Sequence, residues 1–228
     1  MAPTAEQARI VSGLKSAAPR IFSVPIFSGN SVAGRLAPLT RDMAADPAVV
    51  DALFRWRRAN MAAFLTVFDP TPEKTRSYLT AFSLPDPARV LFLIEHEDRT
   101  VGHIGLCNIA AGGAEIDNVM RGEPVDVAGF MRDAHIALLR WAFSTLDVPV
   151  IYLNVLADNT RAVRAYEKIG FRTVSRTPLR REDFHGGYRL VPAADDGVDS
   201  GRALLRMEII RDQARRLFPG QDETGMDT

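Results

Sequence analysis

Apolar positions along the chain change period several times, and those changes mark out its elements. Val90-Leu91-Phe92-Leu93-Ile94 is a continuous apolar run of strand length. Val101–Ile109 follows the charged turn Glu97-Asp98-Arg99-Thr100, so the two runs read as a hairpin. After Gly112-Gly113, Ala114–Met120 makes a third strand of this meander. From Gly129 the spacing lengthens. His135, Leu138, Leu139, Ala142 and Leu146 recur at helical intervals and predict a long helix with one buried face. Val150–Leu156, behind Pro149, suits a buried strand. Asp158 or Asn159 caps the next helix, whose inner stripe is Ala162, Val163, Tyr166 and Ile169 and which Gly170 ends. Phe171–Thr177 is a further strand, and Ala203–Ile210 closes the series.

Upstream of this block the signals are mostly turn and cap residues. Residues 1–19 read as a polar amphipathic helix, and Arg20–Phe27 and Val32–Leu39 as β-rich stretches around Gly29-Asn30. Asp46 followed by Pro47 opens a helix reaching about Asn60, and Thr71-Pro72-Glu73 opens another by the same logic. The expected organisation is an N-terminal extension over residues 1–30 and one domain over 31–218. A Pro- and Gly-bounded insertion at 178–200 precedes the last strand, and an acidic tail fills 219–228. The predicted fold class is α/β, a mixed, mostly antiparallel twisted sheet with helices on both faces.

The 228 residues balance 28 Lys+Arg against 28 Asp+Glu, so bulk charge gives no reason to expect nucleic acid or an anionic membrane as partner. A single cysteine, Cys107, excludes an internal disulfide framework and a multi-cysteine zinc site, and makes a reducing cytoplasm the expected location. Residues 1–20 lack the apolar core of a signal peptide, and no apolar run reaches membrane-spanning length. No two histidines have metal-ligand spacing, so no metal is expected.

The chemistry is concentrated in residues 115–171. A helix beginning at Gly129 offers unpaired backbone N–H groups and the positive end of a dipole, a setting that favours phosphate. Asn159 and Tyr166 are seven residues apart, so two helical turns bring both to one face. The segment Asn154-Val155-Leu156-Ala157-Asp158-Asn159-Thr160-Arg161-Ala162, with Tyr166-Glu167-Lys168-Ile169-Gly170-Phe171, resembles the C-terminal motif of the GNAT N-acetyltransferase superfamily. Leu36-Ala37-Pro38-Leu39-Thr40, Trp56-Arg57-Arg58-Ala59-Asn60 and Val101-Gly102-His103-Ile104-Gly105-Leu106 are similar to its earlier elements, so the likeness covers about residues 33–176 and the strand near Leu205–Glu208. One departure stands out. Aligned on Gly129, the family's pyrophosphate loop Q/R-x-x-G-x-G/A meets Asp126 and Met131 here, leaving Arg132 or Arg121 to supply positive charge.

The resemblance implies acetyl-CoA as co-substrate and a primary amine as acceptor, with direct transfer between them. By position Tyr166 matches the general acid. The backbone of Asn118, Val119 and Met120 matches the strand that pairs with the pantetheine arm. Gly129, Phe130, Met131, Arg132, Asn159 and Ala162 fall where the cofactor is held. The base is open: Glu115 and Asp117 share one strand face, and His103 on the neighbouring strand titrates near neutrality. The expected acceptor is a small molecule such as an amino sugar, free or nucleotide-linked. Arg172, Arg176, Arg180, Arg181 and Arg189 are a candidate anion subsite or a solvated face. Acetylation of protein N-termini and a non-catalytic acyl-CoA sensor are the competing readings, and a homodimer is a further expectation.

Overall fold

The computed structural model describes residues 2–16, 21–193 and 201–217. Ten strands form one sheet in the order β1-β2-β4-β5-β6-β7-β10-β8-β9-β3. The strands are β1 (Val24–Ser28), β2 (Ser31–Pro38), β3 (Thr66–Phe68), β4 (Val90–His96), β5 (Arg99–Ala110), β6 (Gly113–Arg121), β7 (Val150–Leu156), β8 (Arg172–Phe184), β9 (Gly187–Pro192) and β10 (Arg202–Ile210). The helices are α1 (Ala5–Ser16), α2 (Arg41–Ala45), α3 (Pro47–Ala59), α4 (Pro72–Ser77), α5 (Phe130–Thr145), α6 (Thr160–Ile169) and α7 (Arg211–Leu217). A π-helical turn, Tyr78–Ser83, extends α4. All neighbouring strands run antiparallel except β6 and β7.

Alternation along the central strands sorts side chains into two layers. Val90, Phe92 and Ile94 of β4, Ile104 and Leu106 of β5 and Ala114 and Ile116 of β6 join Leu138, Trp141 and Ala142 of α5 in the larger core. Leu91 and Leu93 point the other way and meet Leu53 and Trp56 of α3 and Leu79 of the π-turn. Buried on both faces, β4 is therefore apolar from Val90 to Ile94, as parallel-type core strands are.

The caps at Asp46, Thr71 and Asn159 form where the sequence places them, and Thr40 caps the short α2 that the sequence did not announce. Thr40, Asp46, Thr71 and Asn159 each accept a backbone N–H of the first helical turn. Gly170 ends α6 at φ 111°, a left-handed value that disfavours other residues.

Two boundaries differ from expectation. The described parts of the expected 1–30 extension pack into the domain: Val11 of α1 and Ile26 of β1 are fully buried in the main core. Gln7 donates to Leu146 O at 2.9 Å. Lys15 donates to the carbonyls of Ser83, Leu84 and Asp86, and burial lowers its pKa to about 8. The stretch 178–200, expected as an insertion, lies in the sheet as far as Pro192: β8 runs through Pro178 to Phe184, and β9 returns beside it. Its charged, solvent-facing residues and prolines hide strand character, because no apolar alternation marks an exposed ribbon. Residues 194–200 and the 219–228 tail lie outside the described residues.

Candidate active site

The sheet comes apart at its centre. β6 and β7 pair only through Ala114↔Ile151, Glu115↔Tyr152 and Ile116↔Leu153. Beyond that point β7 stays laddered to β10 along all seven residues, Val150 to Leu156, while β6 stays with β5. The facing edges of Asp117–Arg121 and Asn154–Leu156 are left without a partner strand between them. Backbone N–H and C=O groups on such edges seek hydrogen bonds, so the wedge can hold an extended ligand.

A bulge shapes one lip of the wedge. His103 pairs with Met120 and Gly105 with Asp117, so two steps along β5 match three along β6. The extra residue is absorbed where Asn118 takes φ 48°, a left-handed value tolerated by asparagine. His103 Nδ1 donates to the Asn118 carbonyl at 2.6 Å, its ring stacks on Trp56 at 6.1 Å, and burial lowers its pKa to about 4. The imidazole is therefore neutral at pH 7 and pins the bulge. After the bulge Met120 turns into the α3 side of the core and Val119 packs toward the α5 side, leaving their backbone to the wedge.

The two carboxylates lie on the same face but in different company. Glu115 accepts from Asn108 Nδ2 at 2.7 Å and from Asn154 Nδ2 at 2.8 Å, bridging β6 to β7 where they separate. Asp117 is paired with Arg89 and accepts from Asn118 Nδ2 at 2.8 Å, while its Oδ1 is buried without a hydrogen-bond partner. Burial pushes the Asp117 pKa up, and Arg89 pulls it back. Tyr78 accepts from Asn118 Nδ2 at 2.9 Å, and its own pKa is raised by burial and then by the Asp117 charge. Arg89 and Tyr78 were invisible to sequence reasoning, since they stand 28 and 40 residues from their partners and belong to no local pattern.

The other lip leads to the helix termini. Gly129 caps α5 at φ 78°, and a side chain there would meet nothing within 4 Å, so the turn is open to a ligand. Met131 and Arg132 follow, where helical geometry leaves amides without intrahelical acceptors. Phe130 is buried against His96, and its N–H already donates to Val127 O at 3.3 Å. A groove of about 300 Å³ runs here, its lining including Arg121, Glu123, Gly129, Met131 and Arg132. Asp126 is exposed and outside that lining. On α6, Asn159 Oδ1 accepts from Ala162 N at 3.3 Å. Tyr166 is half-buried, edge-on to His135 at 5.6 Å and to Phe171 at 6.0 Å, and burial raises its pKa to about 12.

Other candidates are spent elsewhere. Arg180 and Arg189 pair with Glu182 and Arg181 with Asp183, which occupies three of the five arginines of the candidate anion subsite. Cys107 is buried, with its thiol pKa pushed up by burial. Among the described residues no helix is long and apolar enough to cross a membrane, and no cluster of His, Cys, Asp or Glu could hold a metal.

A splayed parallel pair beside a bulged strand, facing two helix N-termini, is the architecture of an acyl-CoA-dependent acyltransferase. The model of the acetyltransferase (GNAT) domain matches residues 35–172, and the chain belongs to that family. Its members use acetyl-CoA, and the residues present suit it: an open turn at Gly129, first-turn amides and an unpaired strand edge. Spermidine N-acetyltransferase from Vibrio cholerae, solved with CoA and spermine, is 19% identical, with TM-score 0.57 over 80% of this chain and 98% of that one. A dodecameric structure of that enzyme in an intermediate state is 21% identical, with TM-score 0.55 over 83% and 99%. A provisionally assigned acetyltransferase from T. thermophilus is 22% identical, with TM-score 0.59 over 84% and 92%. At these identities the likeness is one of fold. A search of curated protein sequences finds no significant match.

Proposed function

We propose that the protein transfers an acetyl group from acetyl-CoA to the primary amine of a small molecule. The observation that carries this reading is the wedge between β6 and β7 with a bulge at its lip. Acetyl-CoA supplies an activated thioester carbonyl, and the protein's task is to position it, accept one proton and donate another.

The backbone at Val119 and Met120, re-aimed by the Asn118 bulge, provides N–H donors toward developing negative charge. The amides of Gly129, Met131 and Arg132, with the side chains of Arg121 and Arg132, receive the pyrophosphate at the α5 terminus. Asp117 takes the proton of the incoming ammonium: its Oδ1 is unpartnered, and burial moves its pKa up toward the range useful to a base. Glu115, held by two amides, adds negative charge on the same face. His103, neutral and bonded to the bulge, is placed to fix the strand. Tyr166 keeps its hydroxyl proton throughout the neutral range and offers it to the departing sulfur.

Turnover is read by free-thiol release over a panel of primary amines, with acetyl-CoA affinity measured by calorimetry. Tyr166→Phe should lower kcat by about 10²-fold or more and leave the affinity within about twofold, as expected when only the acid is removed. Normal turnover by this variant would remove Tyr166 from the mechanism. Acetyl-CoA binding with no turnover on any amine would favour the acyl-CoA sensor.

A further inference from the structure

The segment between α3 and α4 is a strap that runs from the cluster under α3 to the cluster around Leu156. Phe64 packs into the cluster that holds Met120 at the end of β6, while Leu65 packs with Leu156 at the end of β7. Leu65 O accepts from Leu190 N of β9 at 2.7 Å, and Ala62 O accepts from Arg202 of β10 at 3.4 Å. This strap thus joins a cluster that includes Met120 of one lip to a cluster that includes Leu156 of the other. It lies on the face that Glu115 and Asp117 share, since strand alternation puts Leu156 on the same side as Tyr152, the register partner of Glu115.

Arg57 of α3 rests against the strap. Its guanidinium carbon lies 3.4 Å from the Phe64 ring centre and 5.5 Å from that of Phe68, and Nη2 donates to Thr66 O at 3.0 Å. Its Nε is buried without a hydrogen-bond partner, and among the described residues no carboxylate forms an ion pair with it. Burial lowers its pKa to about 10, and Tyr78, bonded to Asn118 at the bulge, is near enough to feel its charge. Every carboxylate named on this face has a partner already. Asp117 has Arg89, Glu123 has Trp56 Nε1 at 2.9 Å and Arg55 at 3.7 Å, and Glu115 has its two amides. A desolvated guanidinium with no counter-ion is costly, and the N–H donors left over after the bond to Thr66 suit an oxyanion.

We propose that Arg57 receives an oxyanion carried by the acceptor, so that the substrate class is an amine that also bears a carboxylate or phosphate. The ammonium lies toward Asp117 and Glu115 and the anion toward Arg57. This assignment rests on the transferase reading above. It separates this chain from the spermidine enzymes that share its fold, because a polyamine would bring further positive charge to a guanidinium that lacks a counter-ion.

The test uses the full chain and matched amines that differ by one anionic group: glucosamine against glucosamine 6-phosphate, and tyramine against tyrosine, with spermidine as the cationic control. In at least one pair the anionic member should be preferred by about tenfold or more in kcat/KM, and Arg57→Gln should bring that ratio to within about twofold of unity. Which pair responds tells phosphate from carboxylate. Arg57→Lys, which keeps the charge without the fork, should retain part of the preference, and calorimetry with acetyl-CoA verifies that each variant is folded. A preference for the neutral member or for spermidine overturns the assignment and leaves the transferase reading standing. So does a ratio that survives Arg57→Gln, or an absence of turnover on every anionic amine by protein that binds acetyl-CoA. Failure to bind acetyl-CoA overturns the transferase reading itself, and the assignment with it.

Discussion

Replacing His103 by asparagine keeps a nitrogen donor near the position of Nδ1 and removes the titrating ring. In the unfolded chain the imidazole has a pKa of about 6.5; in the folded protein burial holds it at about 4. The folded value is the lower one, so the unfolded chain takes up the proton first as the pH falls. The stability tied to a neutral His103 is complete above the unfolded pKa and is lost through the window from about 6.5 down to 4. Integrated over that window, the loss is about 1 kcal/mol at pH 6, about 2 at pH 5 and about 3 at pH 4. His135 is also buried with a lowered pKa, but it is common to both proteins and cancels in the difference. Urea denaturation of wild type and His103→Asn at pH 7, 6 and 5 gives that difference directly. The wild type should lose about 2 kcal/mol more than the variant between pH 7 and 5. A difference that stays flat within about 0.5 kcal/mol would refute a buried neutral imidazole at the bulge.

Gly122→Ala sets a methyl against the Trp56 indole, inside van der Waals contact, and should cost about 1–3 kcal/mol through overpacking. Since Trp56 stacks on His103, the same variant should lower turnover more than acetyl-CoA affinity, read by thermal melting and by paired kinetics and calorimetry. Asn159→Ala removes the acceptor for Ala162 N and should cost about 1 kcal/mol by chemical denaturation. If Asn159 also touches the co-substrate, affinity for acetyl-CoA falls beyond that stability change.

The fold was legible where burial writes a period. β4 and β5, the long α5 with its apolar stripe, and α6 between its Asn159 cap and Gly170 stand close to their expected limits, because each buries a face whose spacing survives in the sequence. The ribbon of β8 and β9 was not, since Arg180, Arg181, Glu182 and Asp183 stabilise it through ion pairs that leave no apolar trace. The hairpin between β4 and β5 was announced by its charged turn, but the positive φ of Glu97 and Asp98 was not, since no glycine stands there. At the site, Tyr166, Glu115 and Asp117 stood out because they sit within recognisable segments. The bulge at Asn118 did not, since an inserted residue in a strand alters alternation by one step that residue types alone do not reveal. Arg57, Tyr78 and Arg89 reach their partners only through the tertiary fold.

An unpaired strand edge usually invites aggregation, because any passing strand can dock on it. Here two such edges face each other inside the sheet, fused at one end by three residue pairs and set between strands β5 and β10 that pair along their outer sides. A flat foreign sheet has no approach to so recessed a slot, whereas a slender linear molecule can thread it end-on. The fold thereby keeps its adhesive backbone exposed to the cargo and hidden from its neighbours.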